Sequence, residues 1–165
     1  MAVRYSAPPS DGPMTYEKTL ATNRQAHFNF FILEKIEAGV ALQGTEVKSL
    51  RMGLCNLKDA YARGDSGELW LYQCHIGEYP MGNRENHPPL RPRKLLLHRR
   101  QIIKLDREIA HGGLTVVPLR VYLKGNKIKV ELGLAKGKKA HDKRASIKEK
   151  DIKREMQSDL RHRQK

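Results

Sequence analysis

The sequence is short of cysteine, of aromatic residues and of long apolar runs, and each shortage closes off a class of explanation. Its 165 residues include two cysteines, Cys55 and Cys74. They form no Cys-x-x-Cys pair, so a disulfide framework is not the organising device, and reduced thiols are expected, at least one of them buried. Aromatic residues make up 6% of the chain, with a single tryptophan. No apolar run approaches the roughly 20 residues of a membrane-spanning helix. Met1 to Pro13 holds Pro8, Pro9 and Pro13 and lacks the apolar stretch of a secretory signal, so a cytoplasmic location is expected and a membrane partner is not.

What the chain has in excess is positive charge. It carries 32 Lys and Arg against 18 Asp and Glu, a formal net charge of +14. Such a field draws phosphate backbones by releasing their counterions, and makes nucleic acid the leading partner. From Gly137 onward there are 11 basic residues against 5 acidic ones, a net of +6 on a segment with too little apolar surface for a core of its own. With 39% hydrophobic residues overall, the chain can bury one modest core. Three parts are expected: a disordered arm at 1–22, a packed body at 23–136, and a basic tail at 137–165, disordered when free and partly helical when bound.

Hydrophobic periodicity divides the body. His27 to Leu42, rich in aromatic and branched residues, predicts two strands with a bend at Gly39. Gly44-Thr45-Glu46 supplies a breaker, a cap in Thr45 and an acidic first turn, and Val47, Leu50 and Leu54 follow at helical spacing, with Lys48 and Arg51 turned outward. Strands are predicted at Ala60 to Arg63 and Glu68 to Ile76, around the turn Gly64-Asp65-Ser66-Gly67. Gly77 to Arg93 is a long loop with several prolines, and its Arg84, Arg91 and Arg93 are candidate RNA contacts. Ile102, Leu105 and Ile109 mark a helix that starts near His98 and stops at His111-Gly112-Gly113. Leu119, Val121 and Leu123, then Ile128, Val130, Leu132 and Leu134, alternate with polar residues on either side of Gly125-Asn126, a β-hairpin pattern. In the tail, Ser146-Ile147-Lys148-Glu149 has capping-box form, and Ile152, Met156 and Leu160 make one thin stripe of a helix too short and charged to be secure alone.

The fold class that fits is mainly β: a small, closed, antiparallel barrel of oligonucleotide-binding type with about three helices and a basic C-terminal tail. Tyr61, Tyr72, Tyr79 and Tyr122, with Trp70, offer stacking surfaces, although core packing accounts better for Trp70. No nucleophile stands with an orienting base, and no acids are paired for general acid and base work. Cys55, Cys74-His75 and His87 would make a zinc site only by an accident of folding. No metal, no cofactor and no enzymatic activity is expected.

Four segments carry a resemblance: Gln43-Gly44-Thr45-Glu46-Val47-Lys48-Ser49-Leu50-Arg51, Gly82-Asn83-Arg84, Arg91-Pro92-Arg93-Lys94-Leu95-Leu96-Leu97-His98, and Ala135-Lys136-Gly137-Lys138-Lys139-Ala140-His141-Asp142-Lys143-Arg144. In this order they closely resemble the small protein B family, bacterial proteins that bind transfer-messenger RNA. The resemblance runs from about Asn23 to the end of the tail. It implies an oligonucleotide-binding-like barrel that holds the transfer-RNA-like part of that RNA, and a tail that enters the empty messenger channel of a stalled ribosome, in trans-translation. The family's RNA-binding positions fall on Asn23, Glu37 and Leu96. Those for the ribosome, at the decoding centre and messenger channel, fall on Lys136, Gly137, Lys138, Lys139, His141, Asp142, Lys143 and Arg144. A histidine often found just before the first strand's aromatic pair is replaced here by Phe28, with His27 one position earlier. The chain is expected to act as a monomer. Two alternatives stand beside this: a basic ribosomal protein, and a general RNA-binding module of the same barrel type.

Overall fold

The computed structural model describes residues 17–163. The chain starts with strand β1 (Glu17–Thr22), helix α1 (Arg24–Asn29), strand β2 (Phe30–Val40) and helix α2 (Gly44–Arg51). The short β3 (Cys55–Asn56), β4 (Tyr61–Asp65), β5 (Glu68–Tyr72) and the short β6 (His75–Ile76) follow. After a single 3-10 turn at Asn83–Glu85 come β7 (Arg93–Leu96), helix α3 (Arg99–Ala110), β8 (Leu114–Lys124), β9 (Lys127–Gly137) and helix α4 (Ala140–Arg163). The architecture is mainly β with several helices.

The expected hairpin is the spine. β8 and β9 pair from Lys124 opposite Lys127 to Leu114 opposite Lys136, across a two-residue turn in which Gly125 takes φ 58°. β9 then pairs with β2, β2 with β7, β7 with β5, β5 with β4, and β4 returns to β8 where Ala62 faces Val116. All these pairings are antiparallel, and they form a circuit. Ile36, Leu69, Leu71, Leu95, Val116 and Leu132 fill its interior. The ladder shifts by one residue between Ile32 and Glu34 and again between Pro118 and Arg120, the mark of a β-bulge. Leu119, the residue left over on β8, drops into a second, outer core with Ala26, Val117 and Ala135. Gly133 makes room for it: a Cβ there would lie 3.1 Å from Leu119 Cδ1 and 3.2 Å from Ile32 Cγ2.

Several expectations are corrected. The disordered arm at 1–22 falls outside the described residues as far as Tyr16, but Glu17–Thr22 is ordered as β1 against the end of β8. Its residues show no apolar alternation, and its order comes from the ladder with a distant strand. His27 to Asn29 are not strand but the last turn of α1, which covers the outer core through Ala26. Gly39 does not divide two strands; it lies inside β2, and a Cβ there would come 3.1 Å from Leu96 Cβ, so the glycine admits β7 alongside. The β4–β5 turn is only Ser66-Gly67, both at positive φ (52° and 77°). The strand expected to run to Ile76 ends at Tyr72, because Gln73 takes φ 55°. On α2 the cap is not Thr45: the Glu46 carboxylate accepts the Gln43 N–H (2.8 Å), and Leu54 lies beyond the helix, exposed. α3 matches its pattern, with Leu105 fully buried.

In the tail, helix α4 begins at Ala140 rather than at Ser146. The Asp142 carboxylate accepts the Lys139 N–H (3.1 Å), and the Ser146 hydroxyl donates to the Asp142 carbonyl (3.0 Å), so Ser146 is an interior residue and not a cap. Ile147, Ile152 and Met156 are exposed; the Leu160 side chain lies outside the described residues.

Candidate nucleic-acid interface

The loop arginines separate first. Arg93 points into the body, 1% exposed, and every nitrogen has a partner: Nε and Nη2 meet Glu46, Nη1 donates to the Cys74 and Arg91 carbonyls, and Nη2 to that of Pro89. Arg91 is half-buried, with Nε donating to Glu46 Oε1 (2.8 Å). Neither is free for RNA. Their candidacy is corrected: together with Glu46 they pin the long loop to α2. Burial pushes the Glu46 carboxyl up, but hydrogen bonds from Arg91, the Gln43 N–H and Arg93 outweigh it and hold the pKa below its ordinary 4.5. Arg84 alone of the three is exposed, on the 3-10 turn.

Among the described residues no three of Cys55, Cys74, His75 and His87, nor any other three potential ligands, are placed to hold a metal ion. Both thiols are free, Cys74 buried and Cys55 half-buried. The neighbouring Cys74 thiol, with burial, pushes the Cys55 thiol up.

Glu37 and Leu96 do come together. Both line an open groove of about 900 Å³ along the outer side of β2, β7 and α3, with Lys94, Lys129, His98 and Arg99 around it. Leu96 is 53% exposed, which leaves it available to cover an unstacked base. Glu37 is held from three sides. The Tyr122 hydroxyl and Lys124 Nζ both donate to Oε2, and Lys129 Nζ lies 3.8 Å from Oε1. The Tyr122 hydrogen bond, against some burial and with help from the lysines, keeps Glu37 below the usual carboxylate range. Burial and that same carboxylate push the Tyr122 phenol up. At neutral pH the groove therefore presents a fixed anionic acceptor inside a cationic rim. Such a group repels phosphate and suits a base amino group or a 2′-hydroxyl.

Asn23 stands elsewhere. It is 7% exposed, its Oδ1 accepts the Ala26 N–H (3.1 Å), and its Nδ2 donates to the carbonyls of Leu57 (3.0 Å) and Pro118 (3.1 Å). It lines a second, smaller groove of about 480 Å³ with Tyr61, Thr115, Lys138 and Lys143. This groove lies at the root of the tail. Lys138 N donates to the Asn29 carbonyl (2.9 Å), and its Nζ donates to the His27 carbonyl and Ser146 Oγ while lying over the Phe31 ring. Phe28, where the family pattern differs, is exposed on α1. Gly137 still belongs to β9, opposite Phe30. Lys136, Lys139, His141 and Arg144 are exposed, Asp142 and Lys143 half-buried, and His141 Nε2 lies 3.0 Å from Asp142 Oδ1.

Sequence reasoning missed Tyr122, Lys124 and Lys129 as the setting of Glu37. Their signal is the polar half of the hairpin alternation, which places them on the outer face.

A family model described as SmpB protein matches residues 20–162. The SsrA-binding protein of Carboxydothermus hydrogenoformans is 56% identical over 147 residues, 89% of this chain and 99% of its own. That of Bacillus cereus is 53% identical over 148 residues, 90% of this chain and 96% of its own. A solved structure described as "tmRNA-SmpB: a journey to the center of the bacterial ribosome" superposes with a TM-score of 0.63 at 46% identity, covering 73% of this chain and 85% of that one. One family model thus runs from the first strand, through the groove that holds Glu37 and Leu96, to the end of the tail helix, and the chain belongs to the SmpB family.

Proposed function

We propose that this chain binds the transfer-RNA-like domain of transfer-messenger RNA and delivers that RNA to stalled ribosomes for trans-translation, its tail probing the empty messenger channel. The observation that carries this is the single family match over both body and tail, residues 20–162; it joins the groove and the basic helix as one working unit. The body is a closed barrel of oligonucleotide-binding type, supported by the circuit of strand pairings. It includes β1, so the working division is 17–136 for RNA and 137–165 for the ribosome. Glu37 and Leu96 touch RNA in the groove, Arg84 meets phosphate, and Asn23 acts through the position of α1. Lys136, at the end of the body, and Lys139, His141 and Arg144 in the tail face the ribosome, with Gly137, Lys138, Asp142 and Lys143 setting the helix start. The protein needs no metal or cofactor, supplies no peptide or ester chemistry, and acts as a monomer in the cytoplasm.

Isolation from cells, followed by sequencing of the RNA that accompanies the protein, tests the partner: transfer-messenger RNA is expected, and a chain that stays with ribosomal subunits through a high-salt wash would instead be a ribosomal protein. Truncation after Lys136 tests the division. RNA binding is expected to survive while peptide tagging on stalled ribosomes is lost; equal loss of both would overturn it.

A further inference from the structure

The two grooves are joined by a strip of surface. On β4 and β5 the inward residues Ala62, Leu69 and Leu71 are buried, which leaves Tyr61 and Arg63 on the outer face with Trp70 and Tyr72, both half-buried, so Trp70 is not the core residue expected. Tyr61 sits directly opposite Tyr72 and Arg63 opposite Trp70, and Trp70 in turn faces Lys94 on β7. The Tyr61 and Tyr72 rings stack at 5.6 Å with 19° between planes. Tyr61 is 38% exposed, and Arg63, also exposed, makes no ion pair among the described residues. Lys94 is paired with Glu68, a surface contact that a phosphate can replace at little cost. At one end Tyr61 lines the Asn23 groove; at the other, Glu68 and Lys94 line the groove of Glu37 and Leu96.

Resting on the RNA-binding reading above, we infer that this strip is the path of an unpaired RNA segment between the grooves, its bases stacking on the Tyr61–Tyr72 pair and Trp70 and its phosphates meeting Arg63 and Lys94. Flat rings alternating with cations along one sheet face match a single strand in both of its surfaces, the π-faces of the bases and the charged backbone. A structured duplex would engage the cations but leave the rings without partners.

The full-length chain reports on this path by itself, because Trp70 is its only tryptophan. A labelled, unstructured oligo(U) of about ten nucleotides, within the footprint of one barrel of this size, is titrated in. Quenching of Trp70 emission is expected, with Tyr61→Leu and Tyr72→Leu each weakening binding about ten-fold. Arg63→Gln is expected to reduce the slope of log affinity against log salt by about 0.7. Tyr61 and Arg63 are exposed, so an unchanged urea midpoint for these two variants separates binding from folding. If the parent retains folded transfer-RNA-like RNA while oligo(U) leaves Trp70 emission unchanged, or the Tyr61 and Arg63 variants bind oligo(U) as the parent does, the path is refuted and the RNA-binding reading stands. If the parent binds neither RNA, that reading falls and takes the path with it.

Discussion

Glu46 receives the Gln43 N–H and both loop guanidinium groups, and it is 5% exposed. Removing its charge leaves Arg93 buried without a counter-ion, so Glu46→Gln should cost about 3–5 kcal/mol in urea unfolding while RNA affinity per folded molecule is retained. The pH dependence follows from the direction of its shift. A folded-state pKa below the unfolded 4.5 means the stabilisation is complete above that value and is lost as pH falls through the lowered one. The parent should weaken in that acid window, and the Glu46→Gln variant should show a flatter profile there. Gly133→Ala tests the packing of the outer core. Its methyl would meet Leu119 and Ile32 at 3.1 and 3.2 Å, and a loss of about 1–3 kcal/mol is expected from overpacking, again read by urea midpoint.

Among the elements, α4 is the most independent. It meets the body through Lys138 and α1, while Ile147, Ile152 and Met156 remain 45–62% exposed. Changing Asp142, Lys143 and Arg144 together to Ala should abolish tagging and leave the melting temperature of the body within error, since unfolding of a helix that packs so little is uncoupled from the core; a large drop would mean the segment stabilises the body. The elements also differ in how far they could be read from the sequence. β8 and β9 were legible because apolar and polar residues alternate on either side of the Gly125-Asn126 turn, although nearer the tail their second face is also buried, in the outer core of Val117, Leu119 and Ala135, and α3 because its stripe and its Gly112-Gly113 stop are local. β1 and α1 were not. The first is a polar strand ordered by a distant partner, and the second is set by Asn23 through the carbonyls of Leu57 and Pro118, while Phe28 and Phe30 argue locally for strand. In the site, Glu37 and Leu96 were reached through the family resemblance. Arg91 and Arg93 were misplaced because a basic residue in a proline-rich loop reads as exposed until its buried partner, Glu46, is known.

For the molecule as a whole, charge is shared between body and tail: of the net +14, the residues from Gly137 carry +6 and those before it +8. Truncation after Lys136 should therefore leave RNA binding that is still salt-dependent, measured as the slope of log affinity against log salt, because most of the field stays with the body. A truncated body whose RNA affinity ignored salt would contradict this. The body and tail also meet mechanically through one small amide. Asn23 fastens α1 to β8 and to the segment before β4, and α1 in turn supplies the carbonyls that hold Lys138 at the root of the tail. A genetic screen that scores only failed rescue would rank this asparagine beside the proposed RNA contacts, although both its amide hydrogens and its amide oxygen are already bonded within the protein. Maps of the interface drawn from phenotype alone will include such internal fasteners, and only a binding assay corrected for folded fraction will remove them.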